Sequence, residues 1–145
     1  MNVYLSGPID LVSEQEATEW RREAAMMLAH KRDEDGNPVV VLDPTKTKFM
    51  TPPNLTQKED CRMIVEHNQQ WIGRSTVMLV NANSPGWGTA MEVYFAYQEE
   101  EIIIAFSNNP KPSAWLTAHV HGDIYPDLSA AIDAISNIFD LHDTN

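Results

Sequence analysis

A chain of 145 residues, 43% of them hydrophobic and carrying a formal net charge of −11, is expected to form one domain, residues 1–145, with a core that needs no disulfide or metal staple. That acidity opposes binding to a DNA or RNA polymer, which depends on neutralising phosphates, although local N–H groups and hydroxyls can still hold one small anion. The single cysteine, Cys61, excludes an internal disulfide and points to an intracellular, cytoplasmic setting; no secretory leader is read at the N-terminus, and no apolar stretch reaches the roughly 20 residues that span a bilayer.

The elements alternate along the chain. Val3 to Ser6 is a short apolar strand stopped by Gly7-Pro8. Ser13, with Glu16 three residues on, makes a capping box for a helix to about Lys31, whose apolar stripe is Trp20, Ala24, Met27 and Leu28. Val39 to Leu42 reads as a strand buried on both faces of a parallel sheet. Asp43-Pro44 ends it, and Thr45 to Asn54 is a polar loop, a candidate lid. Thr56 caps the next helix, which carries Cys61, Ile64, Val65, Asn68 and Trp71 and stops at Gly73. Thr76 to Asn81 is a buried strand, Gly86 onward a glycine loop and helix, and Ile102 to Phe106 another buried strand. The segment from Ala114 to Val120 is ambiguous; as a strand it places His119 and His121 on one face. Asp127 to Phe139 is a helix, and the last six residues are expected to fray. Strand–helix alternation of this kind predicts an α/β fold, a doubly wound, mainly parallel sheet of four or five strands flanked by helices, flavodoxin- or Rossmann-like.

In such sheets ligands bind beyond the C-terminal ends of the strands. Gly86-Trp87-Gly88-Thr89-Ala90-Met91-Glu92 follows a strand there. Its glycines permit close approach of a ligand, and Glu92 enters the helix near an N-terminus whose partial positive charge favours the ionised carboxylate. An ionised carboxylate in a cleft is a candidate nucleophile or base. The first strand ends in the second candidate loop, Ser6-Gly7-Pro8-Ile9. Trp87 is a base-stacking or wall residue. Cys61 reads as a small buried side chain, and the acidic runs at 33–35 and 99–101 as solvated surface. Two histidines without a third ligand make no metal site, so neither metal nor cofactor is expected.

At these two loops, Val3-Tyr4-Leu5-Ser6-Gly7-Pro8-Ile9 and Gly88-Thr89-Ala90-Met91-Glu92-Val93 with Ala96, the chain resembles the nucleoside 2-deoxyribosyltransferase family, including relatives that hydrolyse deoxynucleoside 5'-monophosphates. The resemblance implies cleavage of an N-glycosidic bond in a deoxynucleoside or deoxynucleotide. Glu92 would attack C1' and carry the deoxyribosyl group, Tyr4 would orient Glu92, and a free nucleobase or water would accept the sugar. It implies substrate contacts from Ser6, Gly7, Pro8, Ile9, Asp43, Asn68, Gly86, Trp87 and Gly88. Asn68 stands where the family carries a carboxylate, so the proton for the leaving base falls to Asp43, Asp10, Glu66 or water. Gly86 stands where transferases carry aspartate and nucleotide hydrolases serine, which leaves the 5' group to backbone N–H groups of 86–88 or to Ser84. Ser113-Ala114-Trp115 resembles a segment that reaches the neighbouring subunit's site in hydrolase relatives, with the serine on phosphate, which implies a homodimer or higher oligomer. The alternatives are a 5'-monophosphate N-glycosidase, a phosphoribohydrolase whose motif resembles 85–92, and a nucleotide-sensing module that never consumes its ligand.

Overall fold

The computed structural model describes residues 1–47 and 58–144. Thr56, expected as a helix cap, and most of the candidate lid at 45–54 lie outside the described residues. The elements are β1 (Asn2–Ser6), α1 (Glu14–Ala29), β2 (Lys31–Arg32), β3 (Val40–Leu42), α2 (Lys58–Ile72), β4 (Val77–Asn81), α3 (Trp87–Gln98), β5 (Ile102–Phe106), α4 (Ala114–His119), α5 (Leu128–Ile138) and β6 (His142–Asp143). Four strands form a parallel sheet in the order β3-β1-β4-β5. This is the doubly wound α/β fold read from the alternation.

Strand periodicity of two divides the core. Val3, Leu5, Val77, Leu79, Ile104 and Phe106 face α1 and α5. Tyr4, Met78, Val80, Ile103 and Ala105 face the other way, toward Ile72 of α2 and Val93 and Ala96 of α3. From β1 the chain passes to β3 on one side and later returns to β4 on the other. The gap beyond β1 and β4 is thus the topological switch point.

The capping box is present: Ser13 Oγ accepts from the Glu16 amide, and the Glu16 carboxylate accepts from the Ser13 amide. Ser13→Ala is expected to cost about 1 kcal/mol in urea unfolding. The α1 stripe adds Ala17 and a fully buried Arg21 to the expected residues, and the helix stops at Ala29.

Several expectations are corrected. β3 is an edge strand, and Val40 is 46% exposed, so the run is not buried on both faces. The chain end does not simply fray: β6 pairs antiparallel with β2, and Thr144 donates to the His30 carbonyl through N–H and hydroxyl. Residues 114–119 are helical, so His119 and His121 share no strand face. His121 instead covers the free edge of β5: its Nδ1 accepts from the Ile103 amide at 2.9 Å and its own N–H donates to the Ile103 carbonyl. Covering an edge in this way removes a template for unwanted strand pairing.

Glu101, read as solvated surface, has both carboxylate oxygens buried without a hydrogen-bond partner among the described residues. Burial first, and then the Glu99 charge, pushes its pKa up to about 7. An acid whose folded pKa is raised contributes stability below its unfolded value and loses it as pH climbs through the folded one. Glu101→Gln should therefore match the parent protein near pH 4 and exceed it at pH 8, by less than about 1 kcal/mol after solvent screening, in parallel thermal melts.

Candidate active site

β1 and α3 are brought side by side by the sheet, so Tyr4 and Ser6, two residues apart on one face of β1, both reach Glu92. Tyr4 Oη donates to Glu92 Oε1 at 2.9 Å and Ser6 Oγ donates to Oε2 at 2.6 Å. From α2, Asn68 Nδ2 donates to Oε1 at 3.3 Å. Each carboxylate oxygen offers two lone-pair sites. Oε1 has both filled by these donors, whereas Oε2 keeps one beyond Ser6.

Glu92 lies in the second turn of α3, past the reach of the helix dipole, which fades within the first turn. The expectation that its ionised form is favoured is therefore corrected. Burial raises its pKa above the ordinary carboxylate range, and the hydrogen bonds from Ser6 and Tyr4, the Arg21 charge and the Asn68 hydrogen bond offset only part of that. Tyr4 is driven far above the usual phenol range, by burial first and then by the Glu92 charge, so it remains a neutral donor. Tyr4→Phe removes one donor and should raise the apparent pKa on the acid limb of any Glu92-dependent activity; an unmoved limb in a pH–rate profile would contradict the orienting role.

Glu92 opens onto a cavity of about 870 Å³ at the switch point. The β1–α1 loop supplies one wall through Gly7, Pro8, Ile9, Asp10 and Leu11. The start of α3 supplies the opposite wall through Gly86, Trp87 and Gly88, and α2 closes a third side through Cys61, Val65 and Asn68. The loops meet closely. A Cβ at Gly86 would come within 3.3 Å of Thr89 Oγ1 and 3.5 Å of Pro8, and one at Gly7 would strike Trp20 at 2.8 Å. Among the described residues no atom outside the helix's own backbone and the flanking residues would meet a Cβ at Gly88 within 4 Å. Trp87 is 82% exposed at the mouth, and so is Leu11 at 99%, held at φ +62°. The first intrahelical bond of α3 runs from the Ala90 amide to the Gly86 carbonyl, and no side chain caps the helix.

Of the residues singled out in the sequence, Gly7, Pro8, Ile9, Asn68, Gly86, Trp87, Gly88 and Glu92 line this cavity. Tyr4 and Ser6 are fully buried beneath Glu92 and hold it. Asp43 does not line the cavity: it is 6% exposed, accepts from the Thr45 amide and hydroxyl, and pairs with Arg21 at 3.6 Å. Ser113 is exposed at the start of α4 and does not line the cavity. Cys61, read as buried, is exposed on the cavity side of α2. Arg21 and Leu11 were not singled out in the sequence; Leu11 sits one residue past Asp10, and no local signal distinguished either. Among the described residues no three His, Cys, Asp or Glu side chains gather as a metal site would require, and no helix is long and apolar enough to cross a membrane.

No family model matches the chain, and no curated sequence does. Solved structures do. The 2-deoxyribosyltransferase of Bacillus psychrosaccharolyticus superposes with a TM-score of 0.67 over 92% of this chain and 90% of its own, at 15% identity. This chain shares its fold. The CMP N-glycosidase of Clostridium botulinum superposes with a TM-score of 0.57 over 95% of this chain and 99% of its own, at 18% identity. The resemblance read in the two loops thus extends to the whole fold, and both neighbours are named for chemistry at a glycosidic bond.

Proposed function

We propose that this protein is a nucleoside 2-deoxyribosyltransferase-like enzyme that cleaves the N-glycosidic bond of a deoxynucleoside or deoxynucleotide and passes the sugar to another base or to water. The observation that carries the reading is a carboxylate at the floor of a cavity, held by three donors, with a lone pair on Oε2 left over. That oxygen would attack C1' as the C1'–N bond breaks, through an oxocarbenium-like transition state stabilised by the adjacent negative charge. The base would leave with the bonding pair and take a proton from solvent. A glycosyl ester on Glu92 would result, as in retaining glycosidases, and a second base or water would then attack C1' and release the carboxylate.

The exposed wall residue Trp87 would stack on the base. The amides at the start of α3 would meet the substrate's 5' group, since these precede the first intrahelical bond. Tyr94, Tyr97 and Trp115 are each exposed and pack around His119, and Ser113 opens the same helix; this face would join two copies in a homodimer. Asp43, tied to Arg21 and Thr45, is assigned a supporting place and not a substrate contact. The cavity of about 870 Å³ has room for a small-molecule ligand.

The test is incubation with each deoxynucleoside and its 5'-monophosphate, with and without a free acceptor base, followed by chromatography of the products. Exchange of bases identifies a transferase and release without acceptor a hydrolase, the reading that the CMP N-glycosidase neighbour supports. Binding with no turnover of any substrate would leave a sensing module and sink the enzymatic reading.

A further inference from the structure

Arg21 is a cation with no solvent exposure, on the helix that follows the first cavity loop. Its Nη2 donates to the Gly7 carbonyl at 2.8 Å and its Nη1 to the Ala17 carbonyl. Its Nε lies 3.6 Å from Asp43 Oδ1, too far for a hydrogen bond, and its guanidinium carbon lies 4.7 Å from the centre of the Trp20 ring. Glu92 holds Ser6 and Arg21 holds Gly7, so the two opposite charges grip consecutive residues of β1 and its loop.

We propose that Arg21 is a positioning residue of the Glu92 site: its guanidinium anchors the Gly7 wall of the cavity and supplies the positive charge that lets an enclosed Glu92 carry its negative one, while Asp43 tempers that charge. A carboxylate closed off by protein is neutral unless a cation or donors support it. The elements packed near Glu92 present few charged groups to it. β1 presents Tyr4 and Ser6, α2 presents Asn68, and the cavity loop presents Asp10. β4 and β5 present Met78, Val80, Ile103 and Ala105 on that face, and α4 places His119 against Tyr94 and Tyr97. Among these described groups the positive charge acting on Glu92 is that of Arg21. Burial pulls the Arg21 pKa down, while the Asp43 and Glu92 charges push it back up, so the opposite charges support one another.

The proposal depends on Glu92 being the reactive group only for its catalytic consequence, and its test needs no substrate. The Glu92 carboxyl is followed by carbon-13 NMR through a pH titration of the full chain, with Glu92→Gln identifying the signal. Arg21→Met should move the titration up by about one pH unit, because Asp43 is then uncompensated. Asp43→Asn should move it down, because Arg21 is no longer shared. Arg21→Lys keeps the charge without the fork. It should leave the titration near that of the parent protein and, with an active substrate, raise KM by more than it lowers kcat. Loss of packing alone has no reason to produce opposite signs. If Arg21→Met does not fold, Asp43→Asn and Arg21→Lys carry the test. A Glu92 titration unmoved by Asp43→Asn, or moved upward by it, overturns the proposal. A protein that turns over no nucleoside yet shows the predicted shifts overturns only the proposed activity.

Discussion

Glu92→Gln is expected to abolish glycosidic cleavage, lowering kcat on the order of 10⁴-fold or more, as removal of a nucleophile does where the rest of the site remains. The fold should survive. A glutamine oxygen can still accept from Tyr4 and Asn68, and its amide can donate to Ser6 Oγ, which turns from donor to acceptor, so position 92 keeps its three side-chain partners. Stability has a definite sign. Because burial raises the Glu92 pKa, ionising it costs the folded state more than the unfolded one. The neutral variant should therefore be at least as stable as the parent at pH 8, with the difference vanishing below the ordinary glutamate pKa. Kinetics, thermal melts and mass spectrometry of acid-quenched enzyme would check this together. The parent should show a sugar adduct on the peptide carrying Glu92, and the variant none. Near-parental turnover in Glu92→Gln would remove the proposed nucleophile. For the parent, kcat/KM should fall as pH falls, along a limb lying above the usual carboxylate range.

Asn68→Asp is expected to change the reaction in the opposite direction. The amide donates to Glu92 Oε1 but holds no transferable proton at neutral pH, and Tyr4 is kept neutral by its surroundings. A carboxyl introduced at this distance could not ionise together with Glu92, since two like charges so close share one proton. One acid would stay protonated near neutrality and serve the leaving base. The expected gain in kcat/KM is about 10²-fold for bases that depart poorly unprotonated, at the low end of general-acid effects. The pH profile should become bell-shaped. The structure should weaken above the second ionisation, when both carboxylates are charged. A variant as inactive as Glu92→Gln would show that the amide itself, through its donated hydrogen bond, is what the site requires.

Much of this site was legible because its punctuation is local. Gly7-Pro8 ends a strand whose side chains alternate with a period of two, Pro85-Gly86 leads into a helix, and Ser13 with Glu16 announces a helix within four residues. These signals placed β1, β4, β5, α1 and α3, and hence the two loops facing the switch point. The Tyr4–Glu92 pair was anticipated from the family resemblance; its hydrogen bond spans 88 positions, which no periodicity reports. For Ser6 the expectation was a substrate contact; the fold adds a hydrogen bond from its hydroxyl to the carboxylate at 2.6 Å. Arg21 sits within an apolar stripe, where an arginine reads as a break in the pattern until Asp43 and the Gly7 carbonyl are seen around it.

The sequence by itself determined the four strands of the main sheet and the helices α1, α2, α3 and α5, that they wind into a parallel sheet, and that one glutamate stands just past a glycine-rich turn. Those properties follow from hydrophobic periodicity, caps and turn residues, which act over a few positions along the chain. Tertiary structure alone decided that β3 lies at an edge, that Lys31–Arg32 after α1 pairs with His142–Asp143 as β2 and β6, that Asp43 faces Arg21, and that Glu92 holds its proton more tightly than a free glutamate. Burial, ion pairing and proton affinity depend on which distant elements become neighbours and on how far water is excluded between them, and neither is encoded in any short stretch of residues.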